Sequence, residues 1–195
     1  MIKTAFLSFG RRAQVALIAT VAAAGALTLG SSYVDASPLS WLHDDEAEIA
    51  KLTVCYALAT DAIGRGDVAG GKAIYAPCFT QNAVLAVYFP DAPFSGPPSY
   101  TTVGTDSWSE FVDDTFIGSG YTVTQHLVGT INIQVDGKNA TMTSYLHATH
   151  VLPDGTMDVA NGTYEDEVVR RNGVWKIKTR TLKLITFVNL GTPTP

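Results

Sequence analysis

Residues 160–182 read ANGTYEDEVVRRNGVWKIKTRTL. Asn172-Gly173 stands between two runs that alternate apolar with polar residues. Asn-Gly in that setting is a strong hairpin signal, because the favoured two-residue turn needs positive φ at both central positions. The stretch therefore predicts two long antiparallel strands, 158–171 and 174–188. Two further turns lie upstream, LPDGT (152–156) and VDGKN (135–139), the second again with Asp-Gly. They divide the preceding chain into strands 139–152 and 121–135. Four consecutive strands joined by tight turns make a meandering antiparallel sheet.

The chain before residue 120 has a different periodicity. In DDEAEIAKLTVCYALATDAIGR (44–65) Ile49, Leu52, Tyr56, Ala59 and Ile63 form one stripe at helical spacing. Asp44, Asp45 and Glu46 suit the positive end of that helix, and Gly64 and Gly66 suit its stop. Val54, Leu58 and Asp61 form a flanking row, which predicts a helix buried on two sides. Asp67 opens a shorter helix, 68–76. Residues 82–89 read as a strand, 90–105 as a Pro- and Gly-rich loop, and 107–118 as a helix with Ser107 and Glu110 at capping-box spacing. Helices first and long antiparallel strands last predict an α+β fold, with the sheet curling over the N-terminal helices.

Residues 1–36 read as an export signal: Lys3, Arg11 and Arg12, then the apolar run 13–29, then small residues ending at Ala36. The paired arginines also suit a twin-arginine signal. The expected domain is then 37–195, exported to the periplasm or medium, with no membrane attachment once the signal is cleaved. The whole chain carries 13 Lys+Arg against 18 Asp+Glu, net −5, and three of its basic residues lie in the leader. Binding to nucleic acid is not expected from so acidic a remainder. Cys55 and Cys78 are able to pair in an exported chain, although two buried free thiols is the plainer reading. No ligand cluster at zinc spacing occurs in the sequence, and no metal is expected.

Four histidines are the side chains most easily poised near neutral pH. His43 lies in an acidic stretch before the first helix. His126 sits in TVTQHLVGTINI (122–133), where strict alternation groups it with Asn132 and Gln134 on the polar face, opposite Val123, Leu127, Ile131 and Ile133. A bulge at Gly129 would reverse that phase, so parity alone leaves its direction open. His147 and His150 point to opposite faces of their strand, and the more apolar set favours His150 as the inward one. Asp61, on a buried helix, needs a partner. Arg65 at i+4, a C-terminal cap of its own helix, or a pocket would each supply one.

Taken together, IAKLTVCYALATDAIGRGD, TQHLVG and the 160–182 hairpin resemble the SnoaL-like branch of the nuclear transport factor 2-like superfamily, over roughly 44–188. The resemblance implies a cone: a strongly curved, mainly antiparallel sheet wrapped around the N-terminal helices, enclosing one apolar pocket. Within the branch the pattern is most similar to scytalone dehydratase and a bile acid dehydratase. That implies a cofactor-independent lyase with Tyr56, Asp61 and His126 as catalytic residues. Asp61 would fix the imidazole, His126 would take a proton α to a carbonyl, and Tyr56 would support the carbonyl oxygen. His150 or Tyr164 would protonate the departing hydroxyl. Tyr164, Trp108 and Phe116 are expected to line the pocket around a small hydrophobic substrate. Scytalone dehydratase has a tyrosine where Thr60 stands here. The late arginine of the bile acid enzyme falls near Lys183 or Leu184, with Arg180 close by. The alternatives are a non-catalytic binding domain for an apolar small molecule, a ketosteroid-isomerase or cyclase type of enzyme, and an assembly subunit. A homodimer or higher homo-oligomer is expected.

Overall fold

The β-hairpin expected around residue 172 is present, with Asn172 at φ 52° and Gly173 at φ 83° as its two central residues. The computed structural model describes residues 40–191, with side chains from Asp45 onward. The export signal lies outside the described residues. Three helices, α1 (Ser40–Ile63), α2 (Val68–Tyr75) and α3 (Thr105–Ser119), accompany six strands: β1 (Phe79–Tyr88), β2 (Tyr100–Val103), β3 (Val123–Asp136), β4 (Asn139–Val151), β5 (Met157–Arg171) and β6 (Val174–Leu190). The sheet order is β2-β1-β6-β5-β4-β3. Every pairing is antiparallel except β1 with β6. This is the expected α+β cone. Its inner face closes on α1 through one core of Ile49, Leu52, Tyr56, Tyr75, Phe79, Trp175 and Ile177.

Several local readings need correction. Residues 90–105 are not all loop, because β2 pairs with β1 between Val84↔Val103 and Val87↔Tyr100. Helix α1 begins at Ser40, so Asp45 is past its first turn. Its carboxylate is buried and accepts a 2.9 Å hydrogen bond from Trp175 Nε1–H, with Arg170 Nη1 at 3.0 Å. The apolar members of the flanking row of α1 are not buried: Val54 and Leu58 are 56% and 54% exposed, while Asp61 is buried. The α3 N-cap is Gly104, without a side-chain cap, and Glu110 pairs instead with Lys72 of α2 at 3.0 Å. The plainer reading of the cysteines fails too, since Cys55 and Cys78 form a disulfide that ties α1 to the start of β1.

Alternation on β3 reverses partway along the strand. The β3–β4 register shifts between Gly129 and Asn132. Thr130, not Gly129, holds the left-handed backbone there, at φ 48°. Before the bulge Thr124 is buried and Leu127 is exposed; after it Ile133 and Val135 pack on the core. An extra residue reverses which parity faces inward. His126 therefore shares the inner face with Thr124 and Val128.

Candidate active site

Asp61 lies in the last turn of α1 and meets β3 there. The approach depends on Gly64, where a Cβ would collide with the Thr124 side chain. Asp61 Oδ1 is 2.7 Å from His126 Nδ1 and accepts from the Thr124 hydroxyl at 3.0 Å. Its Oδ2 accepts the His126 backbone N–H at 3.1 Å. Burial pushes the Asp61 carboxyl up, but the hydrogen bonds and charge of His126, with Thr124, outweigh it and hold it below the ordinary carboxylate value. An ionised carboxylate only accepts, so His126 carries a proton on Nδ1, which leaves Nε2 as the ring nitrogen not engaged by Asp61. The alternatives considered for Asp61, Arg65 and its own helix end, are not its hydrogen-bond partners.

His126 also borders a cavity of about 90 Å³ inside the cone. Tyr56, Trp108, Phe116, His150 and Tyr164 line it as well, with Val112, Leu146, Ala148 and Leu184 supplying apolar wall. All the residues singled out in the sequence meet there except Asp61, which stands behind His126. The His126 and His150 rings are 5.5 Å apart and perpendicular. Phe116 of α3 covers both, 6.4 Å and 5.4 Å away. His147 faces out, its Nδ1 2.9 Å from Asn161 Oδ1.

His150 is 4% exposed, and its Nδ1 lies 3.3 Å from the Asp158 carbonyl oxygen. A carbonyl only accepts, so Nδ1 bears the hydrogen and Nε2 is an acceptor. Burial first, and the neighbouring His126 second, push its pKa down to about 4. His150 is thus a neutral imidazole at ordinary pH, with no proton on Nε2 to give. Tyr121 packs on its ring at 4.8 Å and donates from its hydroxyl to Asp158 at 2.6 Å.

Beneath the cavity lies a buried ion pair, of which the sequence pointed only to Arg180, as close to the expected late arginine, and not to Asp166. Arg180 is buried and makes two 2.7 Å bonds to Asp166. Its guanidinium lies 4.3 Å over the Tyr56 ring and 4.5 Å over the Tyr164 ring. Burial raises the pKa of Tyr56, and the Arg180 charge opposes that rise. Among the described residues no group of three or more His, Cys, Asp or Glu is arranged to hold a metal, and no helix is long and apolar enough to cross a membrane.

No curated protein matches this chain. Solved structures do match. The Kfla4162 protein from Kribbella flavida superposes with a TM-score of 0.60 at 20% identity, over 75% of this chain and 95% of that one. A candidate scytalone dehydratase from Novosphingobium aromaticivorans gives 0.58 at 20% identity, over 78% and 91%. The hexachlorocyclohexane dehydrochlorinase LinA-type3 from Novosphingobium barchaimii gives 0.58 at 16%, over 78% and 94%. At such identities these likenesses concern the fold. The sequence itself matches the model of the SnoaL-like domain over residues 42–181. The chain belongs to the SnoaL-like domain family of the nuclear transport factor 2-like superfamily.

Proposed function

We propose that the protein is a cofactor-independent lyase that eliminates water from a small hydrophobic β-hydroxy carbonyl compound. The observation that carries this reading is the Asp61–His126 pair at 2.7 Å, set at the edge of an apolar cavity. His126 Nε2 takes the proton α to the carbonyl, while Asp61 steadies the imidazolium through Nδ1–H. Tyr56 donates to the carbonyl oxygen as charge gathers there. The Cα=Cβ bond then forms as the C–O bond to the hydroxyl breaks. Because His150 Nε2 is an acceptor, the proton that completes the leaving water comes from His126 itself, which ends neutral again. His150 is left to accept a hydrogen bond from the substrate hydroxyl. Two of the matched structures are named for eliminations, of water and of hydrogen chloride, which supports the class of reaction.

The cavity volume of about 90 Å³ is less than the roughly 150 Å³ that holds a benzene ring. Phe187, which also lines the cavity, is 43% exposed. An open groove of about 860 Å³ shares His126 and Leu146 with the cavity and is also lined by Asp61; its border of Val54, Leu58, Leu127, Tyr145 and Ile185 favours a second reading as a carrier of an apolar molecule. Export is supported by the Cys55–Cys78 disulfide. The exposed Leu127, Tyr145 and Ile185 support self-association.

The test is α-proton exchange in deuterium oxide, followed by NMR on small cyclic ketones and their β-hydroxy derivatives. Exchange by the wild type, slowed roughly 10²–10⁴-fold in His126→Ala and strongly in Asp61→Asn, is expected. No exchange with any compound, or equal exchange in the variants, would overturn the lyase in favour of the carrier.

A further inference from the structure

Two basic runs, VVRR (168–171) and KIKTR (176–180), face each other across the β5–β6 hairpin. Two of their cations are committed elsewhere: Arg170 to Asp45 at 3.0 Å and Arg180 to Asp166 at 2.7 Å. The other three, Arg171, Lys176 and Lys178, line an open groove of about 550 Å³ with Thr80, Gln81 and Asn82 of β1. This groove shares no residue with the cavity that His126 borders.

The ladders on both sides of Lys178 break here. Toward β5, Val168 pairs with Ile177 and Glu167 with Thr179, so Lys178 is an extra residue between them. Toward β1, Phe79 pairs with Ile177 and Val84 with Thr179, so Thr80, Gln81 and Asn82 fall between paired positions. Bulges bend a strand and re-aim its side chains. Arg171 and Lys176 are diagonal neighbours, because Arg171 pairs with Val174 and Val169 with Lys176. Long side chains meet across that spacing.

The charges in the groove do not cancel. Lys178 pairs with Glu167 at 3.0 Å, and the same carboxylate accepts from the Thr179 hydroxyl at 3.0 Å. Lys176 reaches only the carbonyl oxygens of Ala76 and Phe79, both at 3.4 Å. Among the described residues no carboxylate pairs with Lys176 or Arg171. Three positive charges against the one on Glu167 leave two in surplus, in a chain of net charge −5. Thr80 Oγ1 adds a buried hydroxyl with no hydrogen-bond partner among the described residues. A buried polar group left unmatched destabilises a fold, so this hydroxyl is poised for a ligand. Gln81 and Asn82 bring amide N–H donors at the exposed edge.

We propose that the groove between β1 and the β5–β6 hairpin binds a phosphate group, free or as a monoester. A phosphate dianion matches the two surplus charges, whereas a carboxylate would satisfy one. Arg171 presents a fork of N–H donors to two phosphate oxygens, and Lys176 acts as a point charge. The Thr80 hydroxyl donates to a further oxygen.

The probe is inorganic phosphate, titrated at constant ionic strength and followed by amide NMR shifts, with chloride and acetate as controls. Saturable shifts are expected at Thr80, Arg171 and Lys176 with phosphate, none with chloride, and weaker binding with acetate. Arg171→Gln and Lys176→Gln should each lower phosphate affinity about tenfold. Thr80→Val should lower it about fivefold while raising Tm in phosphate-free buffer, since it removes an unmatched buried hydroxyl. Glycerol 3-phosphate and phosphatidylcholine vesicles with or without phosphatidic acid separate the two sources of a monoester. Binding of the soluble ester without sedimentation on either vesicle assigns the site to a soluble ligand. Sedimentation on phosphatidic acid vesicles alone, lost in Arg171→Gln and reversed by free phosphate, assigns it to a lipid headgroup. Shifts equally large with chloride, or equal phosphate affinity in the wild type and all three variants, would overturn the site.

Discussion

Lowering the pH should weaken the fold through His150 more than through any exposed histidine. The imidazole is 4% exposed, and its pKa falls from 6.5 to about 4 on folding, chiefly by burial. The unfolded chain therefore binds the proton more readily than the folded one between those values. Stability from this group is complete above pH 6.5, declines as pH falls through the window, and is constant again below about 4. The linkage relation gives a loss of about 2 kcal/mol by pH 5 and about 3 kcal/mol by pH 4. That is a large share of the roughly 5–15 kcal/mol that holds a typical domain folded.

The assay is urea unfolding at pH 8, 7, 6, 5 and 4 on the wild type and on His150→Gln. Gln does not titrate, so carboxylates common to both proteins cancel in the difference. The variant loses the Asp158 contact and starts less stable at pH 8. The gap between the two proteins should then narrow by about 2 kcal/mol on going to pH 5. A gap that stays constant across the series refutes the argument: His150 would then titrate alike in both states, and its assignment as a neutral acceptor in the cavity would fall with it.

Other outcomes follow from single features. Thr130→Gly relieves a β-branched residue at φ 48° and should stabilise by about 1 kcal/mol, raising Tm by about 2–4 °C; a lower Tm would mean that the bulge is not strained. Replacing Cys55 and Cys78 together by serine opens a link across 23 residues and should cost about 3 kcal/mol in urea unfolding, with the reduced wild type behaving alike. Arg180→Met leaves Asp166 buried and unpaired and should cost about 3–5 kcal/mol. Adding Asp166→Leu should recover most of that loss, and a double variant as unstable as the single would argue against an uncompensated charge.

The order of elements was legible in the sequence because turns are local. Asn172-Gly173 and Asp136-Gly137 specify their hairpins from a few residues, and the stripe from Ile49 to Ile63 needs only its own spacing. What escaped was set by distant partners. The Pro- and Gly-rich 90–105 segment hides β2, which exists only because β1 offers it an edge. Asp45 reads as an ordinary helix-terminal acid until Trp175, 130 residues away, donates to it. Nothing in either residue's neighbourhood announces the other.

The site divides in the same way. Tyr56 and Asp61 were visible because both lie on one helix whose period never changes. His126 and Arg180 were ambiguous because each lies on a strand that changes phase. On β3 the reversal occurs at Thr130. On β6 the register shifts opposite Glu167 and Val168, so Trp175 and Ile177 face inward from odd positions while Arg180, Leu182 and Leu184 do so from even ones. Counting in twos from Trp175 turns Arg180 out into solvent, where a basic residue looks unremarkable. A bulge marks where a strand bends, and a sheet that encloses a cavity must bend. In this fold the positions where alternation fails are therefore those that aim side chains into the cone. A polar residue found on the wrong parity beside a break in phase is a better site candidate than one that obeys the pattern.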